Sequence, residues 1–268
     1  MIFKNLKSHH SSKQIELIYG INPIEVLINY DPSRIITIFQ VSKEAQKVNP
    51  KIQSICDLAR KLQISIQNIN LKNVDKWFVE SVNHQGIIAQ ITPTKFLVEE
   101  DLLDLIEEQK LKKKPALFLV LDNIQDPRNL GACIRNAAAF GVTGVIISRN
   151  ATCDLTSTVK KVASGASEIV PIAKVGNLAN CLIKLQGSGI WVISLAASNV
   201  KNLSDLDLNI PVALVLGSED QGVRRIIQKN SDFLAKIPMI NHSIDSLNLS
   251  VATGICLYEV NRQRGLKY

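Results

Sequence analysis

From Pro115 onward the chain alternates short apolar runs with amphipathic stretches, and this rhythm limits the possible folds more than any other feature of the sequence. The runs ALFLVLD, VTGVIIS, EIVPIA, GIWVISLAA, VALVLG and LAKIPM read as strands. Helical patterns fall between and after them, at 129–140, near 156–163, at 177–186, at 222–229 and from about 246. Strands alternating with helices predict an α/β domain whose parallel sheet is covered on both faces. Ligands of such sheets sit at the carboxyl ends of strands, so the loops after Leu121, Leu216 and Met239 are where chemistry is expected.

A second, smaller α/β pattern precedes this one. IELIYG reads as a strand, and NPIEVLINY opens a helix with Asn22 as N-cap and Pro23 at the first helical position. RIITIFQV is a strand, KIQSICDLARKLQ a helix and ISIQNI a strand; an irregular helix ends near Trp77, and GIIAQIT closes the unit. The expected organisation is a polar leader over 1–14, a first domain over 15–92, a linker over 93–114 and a second domain over 115–268. The lysine run at 110 and 112–114, ahead of Pro115, reads as a solvated helix end within that linker.

Composition narrows the class. Hydrophobic residues at 46% and charged residues at 21% set aside disordered and fibrous chains. No stretch approaches the roughly 18 apolar residues of a membrane span, and MIFKNLKSHHSSKQ lacks the apolar centre of a signal peptide, so the chain is read as cytoplasmic with no membrane partner. Five scattered cysteines without a Cys-x-x-Cys pair argue against disulfides and against a metal site. A net charge of +7 suits an anionic partner such as RNA.

Three segments carry the candidate chemistry. In LDNIQDPRNLGACIRNAAAFG, Asn129 is placed as an N-cap, Gly131 allows a close backbone approach, and Arg135 lies within two turns of the same loop, suited to a phosphate. In VALVLGSEDQGVRR, Gly217 ends a buried strand and Glu219 follows in a loop, whereas Arg224 and Arg225 are expected to face solvent. In KIPMINHSIDSLNLSVATG, a strand ends at Met239 and Ser246 caps a helix, bringing Asn248 and Ser250 to its amino end. The small residues Ala252, Thr253 and Gly254 call for tight packing against the chain's own core or a second copy. The Gly-x-Gly-x-x-Gly fingerprint is missing, which disfavours a dinucleotide-binding Rossmann domain.

Taken in order, N-x-G-x-x-x-R at 129–135, LGSEDQG at 216–222, and IPM followed by SLNLSVATG at 237–254 resemble the three motifs of the SpoU family of RNA 2′-O-ribose methyltransferases. YGINPIEVL, NHQGIIAQ and CLYEVNRQR extend the similarity over about residues 16–264. The resemblance implies a trefoil-knotted, homodimeric C-terminal methyltransferase domain that binds S-adenosylmethionine, and an N-terminal domain similar to ribosomal protein L30e that holds RNA. It implies Asn129, Arg135, Glu219, Ser246 and Asn248 as catalytic residues, and Leu216, Gly217, Ile237, Met239, Ser246 and Leu247 around the methyl donor. The implied substrate is a guanosine of 23S ribosomal RNA; transfer RNA, or a noncatalytic RNA-binding role in ribosome assembly, are the alternatives. One departure from the pattern is the six-residue INHSID between IPM and SLN, which has no glycine.

Methyl transfer to a ribose hydroxyl requires alignment and a place for the leaving proton. None of the four histidines is placed for this. Arg135 matches the family residue proposed to deprotonate the hydroxyl, but a guanidinium holds its proton too tightly to be a good base, so phosphate positioning and charge stabilisation are the expected role, with base action the alternative.

Overall fold

The protein is described from a computed structural model covering residues 15–42, 49–70, 74, 77–78, 82–196, 200–240 and 246–265. The leader, part of the irregular helix near Trp77 and five of the six residues of INHSID lie outside these described residues. The chain divides into two compact units, Met1–Lys95 and Phe96–Tyr268.

In the first unit, strands β1 (Glu16–Tyr19), β2 (Ile35–Ser42), β3 (Ser65–Asn70) and β4 (Ile87–Ile91) form one sheet in the order β1-β4-β2-β3. β4 runs antiparallel to both β1 and β2, while β2 and β3 are parallel. Helices α1 (Ile21–Tyr30) and α2 (Pro50–Lys61) bury Ile24, Leu27, Ile52, Ile55 and Ala59 with Ile38, Ile87 and Ala89 of the sheet. The N-cap of α1 is Gly20 at φ 96°, not Asn22, because the chain leaves β1 through a left-handed turn that a side chain would strain. His84 is structural: its Nδ1 accepts the Gly86 N–H.

The second unit is built on seven parallel strands: β5 (Leu117–Asp122), β6 (Gly144–Ser148), β7 (Ile172–Val175), β8 (Trp191–Leu195), β9 (Lys201–Asn202), β10 (Val212–Gly217) and β11 (Phe233–Lys236). Their order is β7-β6-β5-β10-β8-β11-β9. β10 therefore inserts between two earlier strands, and β11 between β8 and β9. Residues along β5 alternate between faces, as strand geometry demands. Leu117, Leu119 and Leu121 join the core under helices α4 (Pro127–Ala139), α5 (Ser157–Ala163) and α8 (Leu249–Gln263). Phe118 and Val120 join the opposite core, under α3 (Asp101–Leu111), α6 (Leu178–Gly187) and α7 (Arg225–Lys229). Each such fully buried side chain contributes about 1.5–3 kcal/mol. The expected parallel sheet covered on both faces is present.

Much of the stretch read as a linker belongs to this second unit. Leu97 exchanges backbone hydrogen bonds with Ile172 and Lys174, and α3 buries Leu102 and Ile106. An i, i+4 apolar pair on an otherwise acidic helix is enough to seat it on the sheet.

At the amino ends of the strands the sheet is closed by Arg264, just past α8. Its guanidinium donates to the carbonyls of Leu208, Pro115, Ala116 and Ile210 at 2.8–3.2 Å. Burial pulls its pKa down to about 10, so it remains charged at neutral pH.

Candidate active site

The three singled-out segments meet at the carboxyl end of the sheet. β5 ends at Asp122, and the chain turns through Asn123 at φ 61° into α4. The N-cap of α4 is Asp126, whose carboxylate accepts the Arg128 N–H at 2.8 Å, with Pro127 at the first helical position. Asn129 therefore lies inside the first turn and does not cap it, which leaves its side chain available for other contacts. Gly131 has the role anticipated: a Cβ there would lie 2.7 Å from the Val159 carbonyl oxygen and 2.8 Å from Val162 Cβ, so its absence lets α5 pack against α4.

β10 delivers the second segment. A Cβ on Gly217 would fall 2.0 Å from the Gly222 carbonyl carbon, so only glycine permits the loop to fold back on the strand end. The fold-back is held by the Gly222 N–H donating to the Ser218 carbonyl at 2.8 Å, with Gly222 at φ 65°. In the third segment, β11 ends at Lys236, so Ile237–Met239 are irregular rather than extended strand. Asn248, not Ser246, caps α8: its Oδ1 accepts the Ser250 N–H at 3.0 Å and the Ser250 hydroxyl.

That cap fixes the orientation of the Asn248 amide. With Oδ1 engaged by Ser250, Nδ2 points the other way and donates to Glu219 Oε1 at 2.6 Å and to Asn129 Oδ1 at 3.2 Å. The Leu249 N–H at the head of α8 also donates to Glu219 Oε1, at 3.1 Å. Residues 119 and 29 positions apart in sequence are thus joined through one amide. The same bonds leave Asn129 Nδ2 as a donor and Glu219 Oε2 as an acceptor without partners among the described residues.

Two hollows adjoin this cluster. The larger, about 540 Å³, is lined by all six residues expected around the methyl donor: Leu216, Gly217, Ile237, Met239, Ser246 and Leu247. Glu219, Asp220 and Lys236 add two negative charges and one positive to its wall. The smaller, about 280 Å³, is lined by Asn123, Gln125, Asp126, Asn129 and the loop Ser218–Gln221. Glu219 and Leu249 border both. Reading the sequence missed Ser218, Asp220, Gln221 and Lys236 as wall residues; the first three lie between Gly217 and Gly222, and that bracketing by two glycines was the available signal.

Arg135 does not join the cluster. It is exposed and opens onto a separate groove between α4 and α8, with Ala132, Asn136, Val162, Ser250, Val251, Gly254 and Ile255. It makes no hydrogen bond or ion pair among the described residues. Arg224 is exposed, as expected, but it is not free: fully buried Asp122 holds its backbone N–H and its guanidinium. Beneath the site, Cys133 meets the Thr253 hydroxyl at 3.3 Å, and burial pushes its thiol up to about 12, which excludes it as a nucleophile near neutrality. All five cysteines are free, and no metal-binding group of side chains occurs among the described residues.

Comparison with known proteins places the chain among relatives. Residues 116–258 match the model of the SpoU rRNA Methylase family, and residues 17–97 match the RNA 2′-O ribose methyltransferase substrate-binding family. The 23S rRNA (guanosine-2′-O-)-methyltransferase RlmB of Pseudomonas putida is 39% identical over 254 residues, 95% of this chain and 99% of that one. Its counterpart in Pseudomonas aeruginosa is 40% identical over 251 residues, 94% and 98% of the two chains. Among solved structures, the SpoU methyltransferase AviRb from Streptomyces viridochromogenes, in complex with AdoMet, superimposes with a TM-score of 0.75 at 19% identity, over 93% of this chain and 90% of that one; at that identity the likeness concerns the fold. With a family model spanning more than half of its length and relatives near 40% identity along nearly all of it, this chain belongs to the SpoU rRNA methylase family.

Proposed function

We propose that this protein transfers the methyl group of S-adenosylmethionine to the ribose 2′-hydroxyl of a guanosine in 23S ribosomal RNA. The observation that carries the proposal is the junction of Asn129, Glu219 and Asn248, through which Asn129 of the smaller hollow meets Glu219 on the wall of the 540 Å³ hollow. Its volume falls within the range of small-molecule sites. Apolar Leu216, Ile237, Met239 and Leu249 suit an adenine face, and two carboxylates against one ammonium suit a sulfonium cation. When bound, S-adenosylmethionine supplies an electrophilic methyl.

The residues of this chain do the aligning. A ribose hydroxyl is both donor and acceptor, and the two groups left free by the Asn248 amide are one of each kind. Asn129 Nδ2 donates to the hydroxyl oxygen and Glu219 Oε2 accepts its proton's hydrogen bond, which fixes the attacking lone pair in direction. Arg135, a permanent cation with no partner among the described residues, clamps a phosphate of the RNA and stabilises charge during transfer.

A homodimer completes this reading. Val251, Ile255 and Tyr258, spaced i, i+4, i+7 on α8, are 50%, 40% and 55% exposed, and Arg135 shares a groove with the first two. Two copies joined on that face bring Arg135 to the subunit boundary. A knotted path for the C-terminal segment belongs to this reading through the family resemblance. No helix among the described residues is long and apolar enough to cross a membrane.

Ribose-methylation mapping of 23S RNA from a strain lacking the gene tests the proposal. One 2′-O-methylguanosine is expected to disappear and to return when the gene is restored. An unchanged map, or no calorimetric binding of S-adenosylmethionine, overturns it.

A further inference from the structure

We infer that Asp122 and Arg224 are positioning residues that latch the 217–223 loop and so set the methyl-donor hollow and Glu219. The inference rests on the methyltransferase reading above. Asp122 is the last residue of β5 and the ladder partner of Gly217, the last residue of β10. Its carboxylate is fully buried, and neither oxygen is idle. Oδ2 accepts the Arg224 backbone N–H at 3.0 Å, while Oδ1 accepts Arg224 Nε at 2.8 Å and lies 2.7 Å from a terminal guanidinium nitrogen. The loop therefore leaves the sheet beside Asp122 through backbone pairing and returns to it through the Arg224 side chain.

Between those two anchors lie Ser218, Glu219, Asp220 and Gln221, which form one wall of the larger hollow and border the smaller. A buried carboxylate held by a guanidinium fork fixes direction as well as distance. Neither residue lines either hollow, so the pair acts on the reaction through the loop. Removing one partner leaves a buried charge uncompensated, and the loop must open to hydrate it.

The test is calorimetry of S-adenosylmethionine with the full chain, together with steady-state kinetics on 23S RNA from the deletion strain. Arg224→Lys keeps the charge beside Asp122, and hence folding, while losing the fork. It is expected to raise Kd and KM for the methyl donor about tenfold, with binding stoichiometry and KM for RNA unchanged. Arg224→Ala is expected to weaken donor binding further, whereas Arg225→Ala, the exposed neighbour, leaves it unaltered. A purely structural role predicts the opposite split: lower stoichiometry and lower apparent kcat at an unchanged Kd. That result for Arg224→Lys overturns the inference, whereas failure of the unaltered protein to bind the donor overturns the proposed function itself.

Discussion

The two ends of the seven-stranded sheet solve the same problem in opposite ways. At the amino ends, one guanidinium meets four carbonyls. At the carboxyl ends, a comparable number of polar groups converge, yet Asn129 Nδ2 and Glu219 Oε2 keep capacity, as does the Arg135 guanidinium in the groove alongside. Saturated polar groups give stability, and unsaturated ones held in fixed directions give a site. Substitutions at the amino end should therefore change stability without altering chemistry, and those at the carboxyl end should do the reverse.

The largest effect that would break this contrast belongs to Arg135. Arg135→Ala is expected to lower turnover by about two orders of magnitude or more, with donor affinity in calorimetry and the melting temperature nearly unchanged. Turnover close to that of the parent removes Arg135 from the site. At the other end, Arg264→Ala removes a donor from four carbonyls, of which Ala116 keeps the Val212 N–H and the other three must turn to water. A loss of roughly 2–4 kcal/mol is expected in urea unfolding, with donor Kd unchanged for the folded protein. Loss of donor affinity in that variant would show that the two ends are coupled.

Asn248→Ala sits between these cases, because the same amide caps α8 and orients Glu219. Stability should fall by only about 1 kcal/mol, the usual value of an N-cap, while turnover falls by about tenfold or more. Equal proportional losses of stability and rate would reduce Asn248 to a cap. The smallest effect concerns pH. Burial raises the thiols of Cys133, Cys181 and Cys256 from 9.0 to about 12. A raised folded pKa contributes stability fully present below about 9 and lost as pH climbs towards 12. Urea midpoints should decline across that window, and replacing the three cysteines with alanine should flatten the decline.

Much of this was legible beforehand where the signal was local. LFLVLD and VALVLG are apolar without interruption because they are central strands covered on both faces, and the sequence placed them to within a residue. The loops after them, and their convergence with the head of α8, followed from the rule for parallel sheets and from the family motifs. What escaped depended on partners far away along the chain. Arg224 is solvent-facing as read, but its tie to Asp122 was not legible because that carboxylate lies 102 residues earlier. Asn129 and Ser246 looked like caps because each is a small polar residue near a helix start. Asp126 displaced the first because Pro127 presets the helical turn, and Asn248 displaced the second because the helix begins later. Arg135 was placed near the loop by counting turns, but its position on the helix circumference sends it into the neighbouring groove.

The sharing of Glu219 and Leu249 by two adjoining hollows has a practical consequence. A single bisubstrate inhibitor, with a nucleoside thioether in one chamber and a tethered second nucleoside in the other, would straddle a common rim. Its linker would need to clear only the Ser218–Gln221 loop and Leu249, so potency should peak at a short tether.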